Sequence, residues 1–277
     1  MKVMLMTDME GVAGVLNFED WTRPEGRYYE KGKRFLTAEV NAAIEGLCAN
    51  GIEEVLVVDG HGAGGVDPEL LDERAQLMRG APAPVWPWGL DESFDGLGVI
   101  GQHAKAGTPY SHLTHTQSCA YADLDVNGIS IGEYGQLSLC ARQLGVPTFL
   151  ACGEKAFIEE AEALTLGVIT AWGKRGLLPD GLEDMDLASY RRAKLSAVHF
   201  SPKESQGRIH EAAEKAAIKL KSDPSSFHYP DLQPPYVRTI RLRPDEDHPA
   251  RVFRDTHPDS FIELMNMSWT PLEETTG

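Results

Sequence analysis

Long apolar runs are missing from this 277-residue sequence, and no stretch approaches the ~18 residues that carry a helix across a membrane. Cysteine is scarce. Cys48, Cys119, Cys140 and Cys152 stand far apart with no C-x-x-C pair, which argues against disulfides or cysteine ligands and for buried free thiols. Positive charge is short as well. With 26 Lys+Arg against 42 Asp+Glu the net charge is −16, a surface that repels phosphate backbones and excludes a primary role on nucleic acid. The apolar run within MKVMLMTDMEG is too brief for a signal peptide, so a cytoplasmic chain with no membrane partner is expected. Internal repeats and low-complexity tracts are absent too.

What is present is ordinary globular material, 42% hydrophobic and 25% charged. A chain near this length buries roughly three quarters of its unfolded surface, so its core needs no staples. Apolar strand-like runs alternate with helical spacing through the first two thirds, the pattern of βαβ units. Val3–Met6, Val55–Val58, Leu97–Ile100 and Pro147–Cys152 read as strands, and Val168–Trp172 as a further one. Leu36, Val40, Ala43, Ile44 and Leu47 mark a helix that Asn50-Gly51 stops. Residues 120–131 read as a hairpin around Asn127-Gly128, followed by helices over 133–144 and 155–164. Further on come an amphipathic helix at 208–220, a connection at 222–235 and a strand at 236–243, and the tail TPLEETTG reads as loose. The expected class is α/β: three layers, a mostly parallel sheet flanked by helices, and a smaller C-terminal α+β portion. Residues 1–200 form the catalytic domain on this reading. Residues 201–277 form the C-terminal portion and contribute to oligomer contacts.

The acids and histidines fall where such strands end. The first run closes in Thr7-Asp8-Met9-Glu10-Gly11, the second in Asp59-Gly60-His61, and a later one in Gly101-Gln102-His103. Open α/β sheets place their sites beyond the carboxyl ends of the strands. Separate strands therefore deliver Asp8, Glu10, His61 and His103 to one edge, where Glu133, opening the helix after the hairpin, joins them. Asp8 and Glu10 are two apart, so in extended backbone both carboxylates face one side. Carboxylates mixed with imidazoles suit zinc better than magnesium, and a bridging carboxylate can hold two ions. Glu133 is either a ligand or a base, and Asp59 is a partner that orients a ligating histidine. His112 and His115 lie in the loop after His103, within reach of an acid, base or oxyanion role.

Three patterns compete with this reading. Gly128-Ile129-Ser130-Ile131-Gly132 matches the nucleophile elbow of serine hydrolases. However, isoleucine on both sides of Ser130 suits a pleated strand, and Asn127-Gly128 explains the first glycine. Thr7-Asp8-Met9-Glu10-Gly11 faintly resembles the acidic loop of aspartyl-phosphate phosphatases, whose second acid is normally Asp. The glycines at 60, 62, 64 and 65 fit neither dinucleotide nor P-loop spacing.

Taken in order, D-M-E-G at 8–11, E-V-L-V-V-D-G-H at 54–61, G-L-D-x-x-F-D-G at 89–96, G-Q-H-A-K-A-G-T-P at 101–109, the T-H-T around His115 and G-E-Y-G at 132–135 resemble the zinc D-aminopeptidases. The likeness covers roughly residues 1–170. It implies that Asp8, Glu10, His61, His103 and Glu133 bind two zinc ions with Asp8 bridging, and that His115 is the catalytic residue. It also implies an aminopeptidase acting on short peptides that contain D-residues, assembled as ten subunits in two stacked five-membered rings. The alternatives are a serine hydrolase using Ser130 and a non-catalytic metal-binding protein.

Overall fold

A computed structural model describes residues 1–271, and the last six residues of the tail TPLEETTG lie outside it. In chain order the elements begin β1 (Lys2–Thr7), α1 (Phe18–Trp21), α2 (Tyr29–Ala49), β2 (Glu54–Asp59), β3 (Ala75–Arg79) and β4 (Gly96–Gln102). The hairpin β5 (Tyr121–Val126) and β6 (Ile129–Ser130) leads to α3 (Glu133–Gln143), β7 (Thr148–Glu154), α4 (Lys155–Leu164) and β8 (Ile169–Gly176). Then come α5 (Leu187–Ala193), β9 (Ala197–His199), α6 (Pro202–Ser222), β10 (Tyr236–Leu242), β11 (Arg251–His257) and α7 (Phe261–Asn266).

Seven strands form one sheet in the order β3-β2-β1-β4-β7-β8-β9, parallel throughout except for β9. Parallel strands buried on both faces read as continuous apolar runs. In β1, Met4 and Met6 pack into the core on one face, while Val3 and Leu5 pack into the core on the other. Helices α2 and α6 pair over the second face, and α3 and α4 cover the first. Ser201 caps α6, accepting the Glu204 N–H with Pro202 at the first helical position. The α/β, mostly parallel and helix-flanked architecture is the one expected.

A second, antiparallel sheet runs β11-β10-β5-β6. Asn127 and Gly128 turn its hairpin with φ of 53° and 85°, the left-handed pair that a two-residue hairpin turn requires. Helix α6 lies on α2 and β8, and β10 pairs with β5 from the middle of the chain. No helix among the described residues is long and apolar enough to cross a membrane.

Candidate metal centre

Strands β2, β1 and β4 are neighbours in the sheet, so the residues that follow their C-terminal ends are neighbours too. Two glycines let those ends cross. A Cβ on Gly11 would lie 2.0 Å from the Gln102 carbonyl oxygen, and one on Gly101, at φ +76°, would lie 2.1 Å from that of Asp8. Both contacts are forbidden to any side chain, so the tight crossing requires glycine at each.

Asp8 stands at the middle of the resulting cluster. Its Oδ1 is 3.2 Å from His61 Nδ1 and its Oδ2 is 3.1 Å from His103 Nε2. Glu10 Oε2 lies 3.1 Å from the same His61 nitrogen. Glu133, the first residue of α3, brings Oε1 to 3.7 Å from His103 Nε2 and 3.9 Å from His115 Nε2. The donor atoms of Asp8, Glu10 and His61 fall within 4.8 Å of one another, and so do those of His103, His115 and Glu133.

Each imidazole is held from behind by a main-chain carbonyl. His61 Nε2 donates to Thr22 O at 2.8 Å, His103 Nδ1 to Ala104 O at 2.8 Å and His115 Nδ1 to Leu113 O at 3.0 Å. That back-bond leaves the second nitrogen of each ring turned toward the carboxylates, as metal-ligating histidines are arranged. Glu10 Oε2 and His103 Nε2 are fully buried and yet make no hydrogen bond. Their close approaches to His61 and Asp8 lack hydrogen-bond geometry, so lone pairs converge on shared space instead of pairing. Buried polar atoms without partners are rare and costly. This donor set of oxygens and imidazole nitrogens fits divalent zinc.

Three carboxylates close together also control the imidazoles. Burial works against charge on His61, but Glu10 and Asp8 push its pKa well above the ordinary value. His103 is likewise opposed by burial and raised by Glu133 and Asp8, to about 10. Burial disfavours the Asp8 carboxylate, yet the close approach of the His103 and His61 rings holds it well below the usual range. His115 moves the other way, lowered by burial and by the neighbouring His103. It is the neutral imidazole of the group.

A cavity of about 1130 Å³ opens from solvent onto Asp8, Glu10, His61, His115 and Glu133. His112 does not line it. Its Nε2 donates to Leu16 O at 3.2 Å and its ring packs edge-on against His199. Asp59 does not orient His61. Its carboxylate accepts the N–H groups of Gly65 and Val66 and pairs with Arg79 at 3.0 Å, fixing the glycine-rich turn because that turn folds back over it. Ser130 lies on β6 and donates to Asp123, with no histidine beside it.

Three further contributors lie outside the set expected from the sequence. Gln102 Nε2 donates to Asp8 Oδ2 at 3.2 Å and to Glu133 Oε2 at 3.3 Å, tying the two carboxylates. Glu154, at the end of β7, accepts Ala104 N–H at 2.9 Å with one oxygen and His112 N–H at 2.7 Å with the other. It therefore joins the segment behind His103 to the loop bearing His115. Lys174 Nζ is fully buried and donates to the carbonyl of Glu10. The strand-end rule applied to β7 would have found Glu154.

The sequence profile of the D-aminopeptidase family matches residues 1–253. A D-aminopeptidase of Bacillus subtilis (strain 168) is 32% identical over 173 residues, 62% of this chain and 62% of that relative's length. The match thus spans somewhat less than two thirds of the curated relative. The solved structure of the Zn-dependent D-aminopeptidase DppA from Bacillus subtilis, a self-compartmentalizing protease, superposes with a TM-score of 0.78. It is 23% identical and the superposition covers 96% of this chain and 95% of that one, a likeness of fold. On the extent of the family match, this chain belongs to the D-aminopeptidase family.

Proposed function

We propose that this chain is a dinuclear zinc aminopeptidase that releases the N-terminal residue of short peptides containing D-amino acids. One observation carries the reading: buried carboxylate oxygens and back-bonded imidazoles converge, and Glu10 Oε2 and His103 Nε2 have no other partner. Asp8 would bridge, one oxygen toward the His61 and Glu10 side and the other toward the His103 and Glu133 side. Zinc in such a site supplies Lewis acidity and lowers the pKa of a bound water toward ~7.

The chain's own groups supply the rest. Glu10 and Glu133 border the cavity with Asp8, so a substrate held at the metal site lies against them. His115 faces the same cavity with a neutral ring, its Nδ1 proton spent on Leu113. Its Nε2 can therefore accept a proton from the attacking water and return it to the departing amine, provided substrate lies within hydrogen-bond reach. The tilt of that ring is set by Phe18, edge-on at 5.6 Å, and by the stack on His103. Glu154 holds both histidine segments in register from behind.

DppA is a self-compartmentalizing protease, which supports a homo-oligomer here, proposed as two stacked five-membered rings. A cytoplasmic location belongs to the same proposal. Elemental analysis of the purified protein is expected to give two zinc per chain. Treatment with a chelator is expected to abolish hydrolysis of D-residue dipeptides, and zinc to restore it. Turnover that survives chelation but yields to serine-directed reagents would return the case to Ser130. Bound metal with no turnover of any peptide would make this a metal-binding protein.

A further inference from the structure

A second, smaller recess leaves the main cavity beside the metal centre. Its volume is about 50 Å³, and Asp8, Gly60, Trp88, Gln117 and Glu133 line both spaces. From that shared mouth it runs against Met6, Trp86, Val99 and Leu137, all buried members of the core on the α3 face of the sheet. The ionisable group near its floor is Tyr134, and the Tyr134 hydroxyl already donates to Thr165 Oγ1 at 2.8 Å. The recess is thus charged at its mouth and apolar within.

Its walls are continuous with the elements that carry the candidate ligands. Met6 precedes Asp8 by two residues as β1 ends. Leu137 follows Glu133 by four on α3, which sets both on one helix face roughly 5–6 Å apart. A group held at Asp8 and Glu133 therefore has the recess directly beside it. Trp88 and Gln117 at the mouth both sit at φ +60°, a left-handed conformation that side-chain-bearing residues rarely adopt. Strained backbone of this kind concentrates at binding sites. Gln117 is pinned there by its N–H, which donates to Glu133 Oε1 at 2.7 Å.

We infer that this recess is the specificity pocket for the side chain of the substrate's first residue, and that it takes an apolar one. The inference rests on the aminopeptidase reading. An enzyme that removes one N-terminal residue needs a closed end on that side of the scissile bond and an open path on the other. The recess closes on packed core, whereas the main cavity opens to solvent and accommodates the remaining peptide. At about 50 Å³, against the roughly 10–15 Å³ that one water needs, it has room for a short side chain. Beyond the mouth its lining is Trp, Met, Val and Leu with the neutral Thr7, Gln102 and Tyr134, whose donors are already bonded to Val58 O, to Asp8 and Glu133, and to Thr165, so no group of opposite charge meets a charged side chain there.

Zinc-replete protein assayed on X-Gly dipeptides tests this, with X glycine, alanine, valine, leucine, aspartate or lysine in D and L forms. Apolar X is expected to exceed glycine by roughly 10–200-fold in kcat/KM, with aspartate and lysine no better than glycine. Leu137→Ala and Trp88→Ala, made separately in case one fails to fold, are expected to move the optimum to larger X. Leu137→Phe is expected to abolish the preference for leucine while glycine remains a substrate. Binding gives an independent readout: free D-leucine, but not glycine, is expected to change tryptophan emission in the wild type and not in Leu137→Phe. A kcat/KM profile flat in X, or one led by aspartate or lysine, overturns the pocket while leaving the peptidase intact. Zinc-replete protein that hydrolyses no dipeptide, with emission unmoved by leucine, overturns both.

Discussion

His103 and His115 lie face to face, ring centroids 4.0 Å apart and planes within 17°. Two imidazolium ions so placed would repel. The surrounding carboxylates raise His103 to about 10 against the cost of burial, whereas burial and the neighbouring His103 lower His115. The pair thus divides two functions between like side chains. His103 serves the carboxylate cluster, and His115 keeps a lone pair free at the cavity wall. Pairs of titratable groups driven apart in this way mark acid–base sites.

Asp8 contributes an oxygen to each half of the cluster. Asp8→Ala is therefore expected to lose more metal than any other single substitution, from two zinc per chain to fewer than one. Glu10→Ala or Glu133→Ala should lose about one. The metal-to-protein ratio after dialysis measures this directly. Full metal content in Asp8→Ala would show that no bridging site exists.

Ser130 donates to Asp123 within the small antiparallel sheet and faces neither the cavity nor the recess described above. Ser130→Ala is expected to keep most of the activity, with a stability loss of about 1 kcal/mol for one hydrogen bond. A fall in kcat on the order of 10⁴-fold, the size seen when a nucleophile is removed, would make the serine catalytic.

The clustering of carboxylates and imidazoles was legible because parallel strands announce their ends. Apolar runs in β1, β2 and β4 stop abruptly at Asp8, Asp59 and Gln102-His103, and open α/β sheets place their sites beyond such ends. Other parts left no trace. Thr22 acts through its carbonyl, which any residue would supply. Strand β3 was missed because it is a short edge strand whose apolar pair, Leu77-Met78, stands between the exposed Gln76 and Arg79 without an apolar run. The pairing of β5 with β10 joins residues more than 100 positions apart, and no local pattern encodes it. Asp59 was misread for a related reason: proximity in sequence to His61 suggested contact, but the turn carries the ring away toward Thr22.

Glu39, buried on α2, accepts Ala13 N–H at 3.2 Å and the Ser205 hydroxyl at 2.7 Å. Burial lifts its pKa from 4.5 to about 7. The folded state therefore binds more protons than the unfolded chain between those values. Its contribution to stability is complete below pH 4.5 and is lost as pH rises through 7. At about 1.4 kcal/mol per pKa unit the swing is on the order of 3 kcal/mol. Glu39→Gln keeps the acceptor oxygen and is expected to flatten this part of the pH profile. Denaturation midpoints at pH 5 and pH 8 provide the check, and an unchanged slope would clear Glu39 of the effect.

The sharpest comparison sets His115 against His112, three residues apart in one loop. His115 borders the cavity and is not assigned to hold metal, so His115→Ala should lower kcat roughly 10²–10⁴-fold at two zinc per chain. His112 lies behind the loop that carries Asp8 and Glu10, bonded to Leu16 O. Its loss should weaken the fold by about 1 kcal/mol and leave turnover nearly intact. The pair of variants separates three arrangements in one experiment. Activity lost only in His115→Ala, with metal retained, is the outcome expected from the cavity wall. Activity lost only in His112→Ala would move the proton-transfer role to a ring that the structure buries. Metal lost in His115→Ala would make its Nε2 a ligand, since it lies within 4.8 Å of the donor atoms of His103 and Glu133. The base would then have to be a carboxylate, with Glu133, 3.9 Å from that nitrogen, the group in place.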